Sequence, residues 1–290
     1  MKTAKKFFSL EGIDGSGKST QIDMLVRVLE SEGHKVVRLR EPGGAKISER
    51  IRELLLDPAF KGIMADDTEL LLYNAARAQV IHEIIKPALD AGNIVIADRF
   101  AWSTFAYQGY ARGLGADKVQ RLTELTCGGC FPELTVVLDL TVEASRKRMA
   151  IRGGAPDRLE SEKAEFFERV REGYLAAGRD YSDVVTVVDA DRTPEEVQHD
   201  SLARRARPLC RGGLARGRTA PPFSRERTLL PYHPGGLAGI PPHGFPQLHP
   251  HPANADGMER VQHRPHLRLH RLAHEHPRAA LCRRQALGKD

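Results

Sequence analysis

The stretch "SLEGIDGSGKST", residues 9–20, decides the fold. Residues 12–19 match the pattern G-x-x-x-x-G-K-[ST] at every fixed position. An apolar run, "FFSL", precedes the loop, and a helical pattern that ends at Gly33 follows it. In this order, the glycines let backbone N–H groups turn inward, and the helix start adds its positive dipole end. The stretch therefore predicts a phosphate-binding loop.

The loop side chains have separate expected roles. Lys18 should bridge the outer phosphates of ATP, and the Ser19 hydroxyl should bind Mg²⁺. The residues expected to contact the ATP phosphates are Gly12, Ile13, Asp14, Gly15, Ser16, Gly17, Lys18, Ser19 and Thr20. The loop contains no arginine, and one lysine is little charge for a phosphoryl group in transit. Further cations should therefore come from outside the loop.

Charge divides the chain of 290 residues into two parts. The last 90 residues, 201–290, hold 16 Arg and Lys against 5 acids, a net charge of +11, so the first 200 carry −5 of the total of +6. Residues 1–200 are therefore expected to form a mildly acidic domain, for which nucleic acid is not an expected partner. No apolar run approaches the roughly 20 residues of a membrane helix, and four cysteines suit a reducing cytoplasm.

Five short apolar runs alternate with helical patterns in the first 200 residues: "FFSL", "KVVRLR", "NIVIAD", "LTVVLDL" and "VVTVVD". This order predicts an α/β fold with a five-stranded parallel sheet and helices on both faces. Ligands bind at the carboxyl ends of such strands. The residues expected to meet there, beside the loop, are Arg40, Glu41, Asp98, Arg99, Ser103, Tyr107 and Gln108.

Six ordered motifs resemble the thymidylate kinase family between about residues 6 and 197: "EGIDGSGKSTQ", "REPGG", "LLLYNAARAQ", "DRFAWSTFAYQG", "RMAIRGGAPDRLE" and "FFERVREGYL". The resemblance implies a P-loop nucleotide kinase fold and, usually, a homodimer. It also implies transfer of a phosphoryl group from ATP to thymidine monophosphate, with Mg²⁺, for dTTP synthesis. The nearer alternative is another P-loop nucleotide or nucleoside kinase. The more distant alternative is a nucleic-acid-binding protein that acts through its basic tail.

The resemblance also implies a mobile lid, here about residues 146–160, that supplies the missing arginines. Arg148, Arg152 and Arg158 are candidates, and we favour Arg152 and Arg158 as catalytic residues together with Lys18 and Arg99. An arginine on a transferring phosphate is worth roughly 10³–10⁵ in rate in related systems. No general base is expected, because the acceptor is already a phosphate dianion near neutral pH.

On the acceptor side, the resemblance implies that Arg99 clamps the phosphate of thymidine monophosphate and that Asp98 reaches Mg²⁺ through water. A helix-capping role is the alternative for Asp98. Tyr73 and Arg77 are four residues apart and share a helix face, where the tyrosine would stack on the base and the arginine would bond its carbonyl. A core aromatic is the alternative for Tyr73.

The remaining acceptor residues follow from the same resemblance. Tyr107 would crowd the 2′ position of the sugar, Gln108 would hold the base edge, and Pro42 would pack near the thymine methyl. Asp14 would lie near the 3′-hydroxyl. The family often has Thr after the glycine pair of "REPGG", whereas this chain has Ala45.

The tail, residues 201–290, shows neither a helical nor a strand period, and Pro, Arg and His interrupt its apolar runs. Such a segment buries too little apolar surface to offset its ordering entropy, so we predict disorder. A polyanion-binding arm is one functional interpretation. Our hypothesis is that a shifted reading frame in a GC-rich gene produced the tail, because it replaces a helix in mid-element. The nucleotide sequence in its other frames tests this origin.

Overall fold

The computed structural model describes residues 6–201. The predicted disorder of 202–290 therefore lies outside the described residues. Five strands form one parallel sheet in the order β2-β3-β1-β4-β5. They are β1 Phe7–Glu11, β2 Val36–Arg40, β3 Ile94–Asp98, β4 Leu134–Asp139 and β5 Val185–Asp189. The predicted α/β class and the five strands are confirmed.

Helices follow the strands in alternation. They are α1 Lys18–Ser31, α2 Lys46–Leu56, α3 Asp66–Val80, α4 Lys86–Asp90, α5 Ala101–Thr104, α6 Ala116–Cys127, α7 Val142–Arg152 and α8 Ala164–Asp180. A π-helical stretch, Ile81–Ile85, joins α3 to α4, and another, Phe105–Ala111, continues α5. Residues 194–201 are also helical, with Pro194 at the first helical position, where proline is favoured. Within residues 6–201, no helix is long and apolar enough to cross a membrane.

Apolar side chains of the strands alternate between two cores, one on each face of the sheet. Phe7 of β1 packs with Val95 and Val137 on one face, whereas Phe8 packs with Ile22 on the other. A strand that is buried on both faces reads as a continuous apolar run, and this explains why β1 shows no polar alternation.

The strand register aligns the carboxyl ends of three adjacent strands, β2, β3 and β1. Leu10 of β1 and Arg40 of β2 both lie opposite Asp98 of β3. The segments after these strands therefore leave the sheet at one edge. These segments are the phosphate-binding loop, the "REPGG" turn and the turn at Arg99, as predicted.

Candidate active site

The loop of residues 12–17 connects β1 to α1 with an unusually close backbone path. At Gly12, where φ is +132°, an added Cβ would lie 2.5 Å from the carbonyl oxygen of Leu138. Gly17 stands at the N-terminus of α1 with φ +93°. Both positions favour glycine, because side chains at such φ values are strained. Thr20 lies exposed in the first turn of α1.

Lys18 lies buried inside the loop. Its Nζ donates to the carbonyl oxygens of Gly12 and Ile13, both at 3.0 Å. Burial, with the nearby charge of Arg99, lowers the pKa of Lys18 to about 8. The ammonium group is therefore held by neutral carbonyls, and an anion at the loop would be a stronger partner.

Ser19 and Asp98, the two residues predicted to bind Mg²⁺, lie together. The Ser19 hydroxyl donates to Asp98 Oδ2 over 3.4 Å. Hydroxyl and carboxylate oxygens are ligands that Mg²⁺ accepts. Helix α5 begins at Ala101, with Phe100 as the preceding residue and no side-chain cap, so the helix-capping alternative for Asp98 is not observed.

Arg99 connects the loop to the acceptor side. It is the only residue other than glycine with positive φ, +70°, in the described part of the chain. Its guanidinium donates to Asp14 Oδ1 at 2.7 Å, to the Gly12 carbonyl at 2.8 Å and to the Tyr174 hydroxyl at 3.1 Å. Burial opposes ionisation of Asp14, but the charges of Arg99 and Lys18 lower the Asp14 pKa to about 2.

Glu11 and Tyr174 are site residues that the sequence reasoning missed. The buried Glu11 carboxylate accepts from the Phe100 N–H at 2.8 Å, the Ser103 hydroxyl at 2.6 Å and the Tyr174 hydroxyl at 3.1 Å. Burial is the largest influence on Glu11 and raises its pKa. The sequence did contain a signal for Glu11: an acidic residue stands directly between an apolar strand and the loop. A buried charge in that position is unfavourable unless it has partners, so partners were to be expected.

A cavity with about 560 Å³ of empty space opens beside the loop. Nine predicted residues line it: Asp14, Glu41, Pro42, Tyr73, Arg77, Arg99, Ser103, Tyr107 and Gln108. Residues that the sequence reasoning did not assign to a site also line it, among them Arg52, Thr104 and Asp157. The cavity therefore combines an aromatic wall with cations, a composition suited to a nucleotide.

Arg77 is the most deeply buried cation in the cavity wall, with a side chain that is 1% exposed. Its Nε donates to Glu41 Oε2 at 2.9 Å, and its Nη2 donates to the Phe100 carbonyl and the Thr104 hydroxyl. Burial raises the pKa of Glu41 to about 7, against the opposing charge of Arg77. Arg77 Nη1 has no hydrogen-bond partner within residues 6–201 and therefore remains a donor for a ligand.

Three further side chains complete the wall of the cavity: Tyr73, Tyr107 and Gln108. Tyr73 is half-buried on α3 beside the cavity, and its position fits the base-stacking prediction as well as the core alternative. The Tyr107 ring lies under the Arg99 guanidinium at 5.3 Å, and its buried hydroxyl has no partner with hydrogen-bond geometry in the described residues. Gln108 Nε2 donates to Glu69 Oε1 at 2.7 Å.

Arg40 differs from its prediction, because it does not line the cavity. Its guanidinium faces Glu49 at 3.1 Å and the Pro42 carbonyl at 3.4 Å, so it braces the turn after β2. Arg52 of α2 lies in the wall instead and donates to the Pro42 carbonyl at 3.0 Å. Strand alternation explains the difference, because the last side chain of β2 points away from the face that holds the cavity.

The predicted lid, about residues 146–160, comprises the second half of α7 and the segment that follows it. Gly153 and Gly154, both with positive φ, follow Arg152. Arg152 is 58% exposed and pairs with Glu160 at 2.7 Å. It lines a second cavity, of about 600 Å³, that also touches Asp14 and the two glycines. Of the two favoured lid candidates, Arg152 is therefore the one that shares a cavity with Asp14 of the phosphate-binding loop.

Arg158 differs from its prediction as a lid arginine. Its side chain is 4% exposed, its Nε donates to the Leu55 carbonyl, and its Nη2 lies 2.7 Å from Glu69. Among the described residues, Arg158 lines neither of the two cavities that touch Asp14. The reason is packing: the segment after Pro156 turns inward against α2 and α3, where the Glu69 carboxylate holds the guanidinium.

Comparison with known proteins identifies the family of this chain. The family model described as "Thymidylate kinase" matches residues 10–201. A thymidylate kinase of Halothermothrix orenii is 49% identical over 198 residues, which cover 67% of this chain and 93% of the relative. One from Syntrophotalea carbinolica is 48% identical over 198 residues, 67% of this chain and 91% of the relative.

A solved structure gives the same result. The crystal structure of thymidylate kinase from Ehrlichia chaffeensis matches with a TM-score of 0.56 and 30% identity, and the match covers 70% of this chain and 99% of that one. The fold thus agrees with this solved structure, and the family model matches residues 10–201. The chain belongs to the thymidylate kinase family.

Proposed function

We propose that this protein transfers the γ-phosphate of ATP to thymidine monophosphate and so produces thymidine diphosphate. One observation supports this most directly. Arg99 bonds the phosphate-binding loop through Asp14 and Gly12, and the same side chain lines the neighbouring cavity. A single guanidinium therefore lies between the donor and acceptor sides, which suits direct transfer between two phosphates that are held close together.

On the donor side, the loop backbone, Lys18 and the N-terminus of α1 would hold the ATP phosphates. Ser19 and Asp98 would hold Mg²⁺, which neutralises charge on the outer phosphates when bound. Arg152 would swing from Glu160 to the transferring phosphate, because its pairing is exposed and therefore weak. The chemistry needs positioning and charge neutralisation rather than a general base.

On the acceptor side, Arg99 and Arg52 supply cations for the phosphate of thymidine monophosphate. Arg77 Nη1 offers a donor, and Gln108 offers an amide oxygen, because its NH₂ group is bound to Glu69. Thymine has a carbonyl acceptor beside its N3–H donor and so matches this pair. Cytosine presents the opposite pattern. Tyr73 would stack on the base, with Pro42 near its methyl group and Tyr107 near the sugar.

The proposal is tested by ADP release in a coupled assay with Mg²⁺, ATP and each nucleoside monophosphate. We expect thymidine monophosphate to be the preferred acceptor. Uridine monophosphate should be poor, because it lacks the methyl group and carries a 2′-hydroxyl beside the Tyr107 ring. Equal turnover of these two substrates would contradict the proposed specificity.

Variants separate the roles within the same assay. Lys18→Ala should lower kcat/KM, and the fall should correspond to a loss of several kcal/mol of transition-state stabilisation, because a phosphate loses a buried cation. Arg152→Ala should lower kcat more than acceptor affinity, whereas Arg77→Ala should raise the acceptor KM first. Lys35→Ala, on an exposed segment, is the control and should change neither constant. An acceptor KM effect alone in Arg152→Ala would refute its lid role.

ATP binding should also depend on pH through Lys18, whose pKa in the free protein is about 8. Phosphate binding favours the protonated lysine, so ATP affinity should be full below pH 8 and fall as the pH rises to 9.5. Calorimetry at several pH values measures this, with proton uptake as a second readout. Lys35→Gln is the control. An ATP affinity that does not change between pH 7 and 9.5 would contradict the assignment.

We also propose a homodimer in a cytoplasmic setting; the latter is supported within residues 6–201 by Cys127, which forms no disulfide. Leu71 of α3 is 57% exposed and Leu125 of α6 is 78% exposed, beside one groove. Such a face suits a second copy of the chain.

The mass in solution by sedimentation tests the homodimer. Leu125→Glu should shift it from two copies to one, because a charge would be buried at the groove. Ile151→Glu, which changes an exposed side chain on α7, should leave two copies. A single-copy mass for the unchanged chain would refute the dimer.

A further inference from the structure

Glu69 of α3 lies behind the base end of the cavity and is 1% exposed. Its Oε1 accepts from Gln108 Nε2 at 2.7 Å and from Arg112 Nε at 3.2 Å. Its Oε2 accepts from Arg112 Nη2 at 3.1 Å and lies 2.7 Å from Arg158 Nη2. The carboxylate thus contacts two cations and one amide, and Gln108 alone of these three groups lines the cavity.

The two arginines keep this buried carboxylate ionised. Burial opposes ionisation, but hydrogen bonds from Arg112 and Gln108 and the charges of Arg112 and Arg158 lower the pKa of Glu69. An ionised carboxylate can only accept hydrogen bonds. Whatever amide faces it must therefore present NH₂ and not oxygen.

This requirement matters because a glutamine amide is nearly symmetric in shape. A half-turn exchanges its oxygen and its NH₂ group at little steric cost, so only the hydrogen-bond partners decide which one faces a ligand. Gln108 Oε1 makes no hydrogen bond among the contacts of residues 6–201, whereas Nε2 is held by Glu69. The amide oxygen is therefore the group left for the cavity.

We propose that Glu69 is a positioning residue for base specificity: it fixes the Gln108 amide so that the oxygen faces the base. The inference rests on the proposed function and deepens it. With Arg77 Nη1 as the donor, a fixed acceptor at Gln108 favours a base with adjacent C=O and N3–H groups over one with NH₂ and an unprotonated N3. The discrimination against cytosine is thus set by a residue outside the cavity wall.

The substitution Glu69→Gln tests this with almost no change of shape. Both arginines can only donate, and two of their donors lie at the Oε2 position, at 3.1 and 2.7 Å, against one at Oε1, Arg112 Nε at 3.2 Å; the carbonyl of the new glutamine should therefore take the Oε2 position. Its NH₂ group would then face Gln108. Gln108 would have to turn its oxygen towards residue 69 and its NH₂ group towards the base, where it opposes the N3–H of thymine.

We expect the ratio of kcat/KM for thymidine monophosphate to that for deoxycytidine monophosphate to fall by about tenfold or more in Glu69→Gln. Most of the fall should come from the acceptor KM for thymidine monophosphate, with the KM for ATP unchanged. Glu162→Gln is the matched control. It removes a carboxylate from Arg112, at 2.7 Å, without touching Gln108, and should keep the original ratio.

A second pair of variants covers loss of folding, because Glu69→Gln deprives Arg112 and the buried Arg158 of an anionic partner. Glu69→Gln/Arg158→Gln removes one of these cations and is compared with Arg158→Gln alone. The same fall in the ratio between these two variants supports the proposal. An unchanged ratio in either comparison overturns it. Failure of the unsubstituted enzyme to prefer thymidine monophosphate would instead refute the proposed function.

Discussion

The left-handed turn at Arg99 is the constraint on which the rest of the site depends. A side chain at φ +70° costs roughly 1–2 kcal/mol relative to ordinary backbone. The cost is offset at both ends, because the Arg99 N–H donates to the Leu10 carbonyl and the next N–H donates to Glu11. The turn directs the guanidinium back over the loop instead of along the strand. Phosphate loop and acceptor cavity therefore share one cation.

Charge balance explains why the site should favour a polyanion. Lys18 and Arg99 are both buried near the loop, and their mutual repulsion adds to burial in lowering the Lys18 pKa to about 8. Asp14 offsets part of this repulsion, and its pKa of about 2 shows how strongly the cations act on it. A bound phosphate would relieve the remaining repulsion. Because water is largely excluded here, these interactions are stronger than at an exposed surface.

The sequence was sufficient for the fold and for most of the cavity wall. The alternation of strands and helices, with the ligand rule for parallel sheets, brought Asp98, Arg99 and Ser103 to one edge. Helix spacing put Tyr73 and Arg77 on one face, and the family resemblance assigned that face to the base. These inferences depend on local periodicity. The contacts made around those residues cannot be predicted from local periodicity, because they join distant parts of the chain. The Tyr174 hydroxyl, for example, donates to Glu11, which lies 163 positions earlier.

The predictions for Arg40 and Arg158 were wrong for the same reason: they depend on contacts between distant parts of the chain. Arg152 and Arg158 look equivalent as a pair after α7, yet one faces the loop and the other is buried against Glu69. The difference arises from the inward turn of the segment between them, which depends on α2 and α3 and not on its own residues. Likewise Arg52, and not the predicted Arg40, lines the cavity. Strand alternation directs the Arg40 side chain at the end of β2 towards Glu49 instead.

The central claim is that Arg99 holds the acceptor phosphate while the rest of the cavity holds the nucleoside. Its most direct test is calorimetric binding of thymidine and of thymidine monophosphate to Arg99→Asn, because asparagine tolerates the left-handed backbone. The account predicts that thymidine monophosphate loses about tenfold to a hundredfold in affinity while thymidine binds nearly as before. Arg192→Asn, outside the cavity, should change neither. Equal losses for the two ligands in Arg99→Asn would contradict the account.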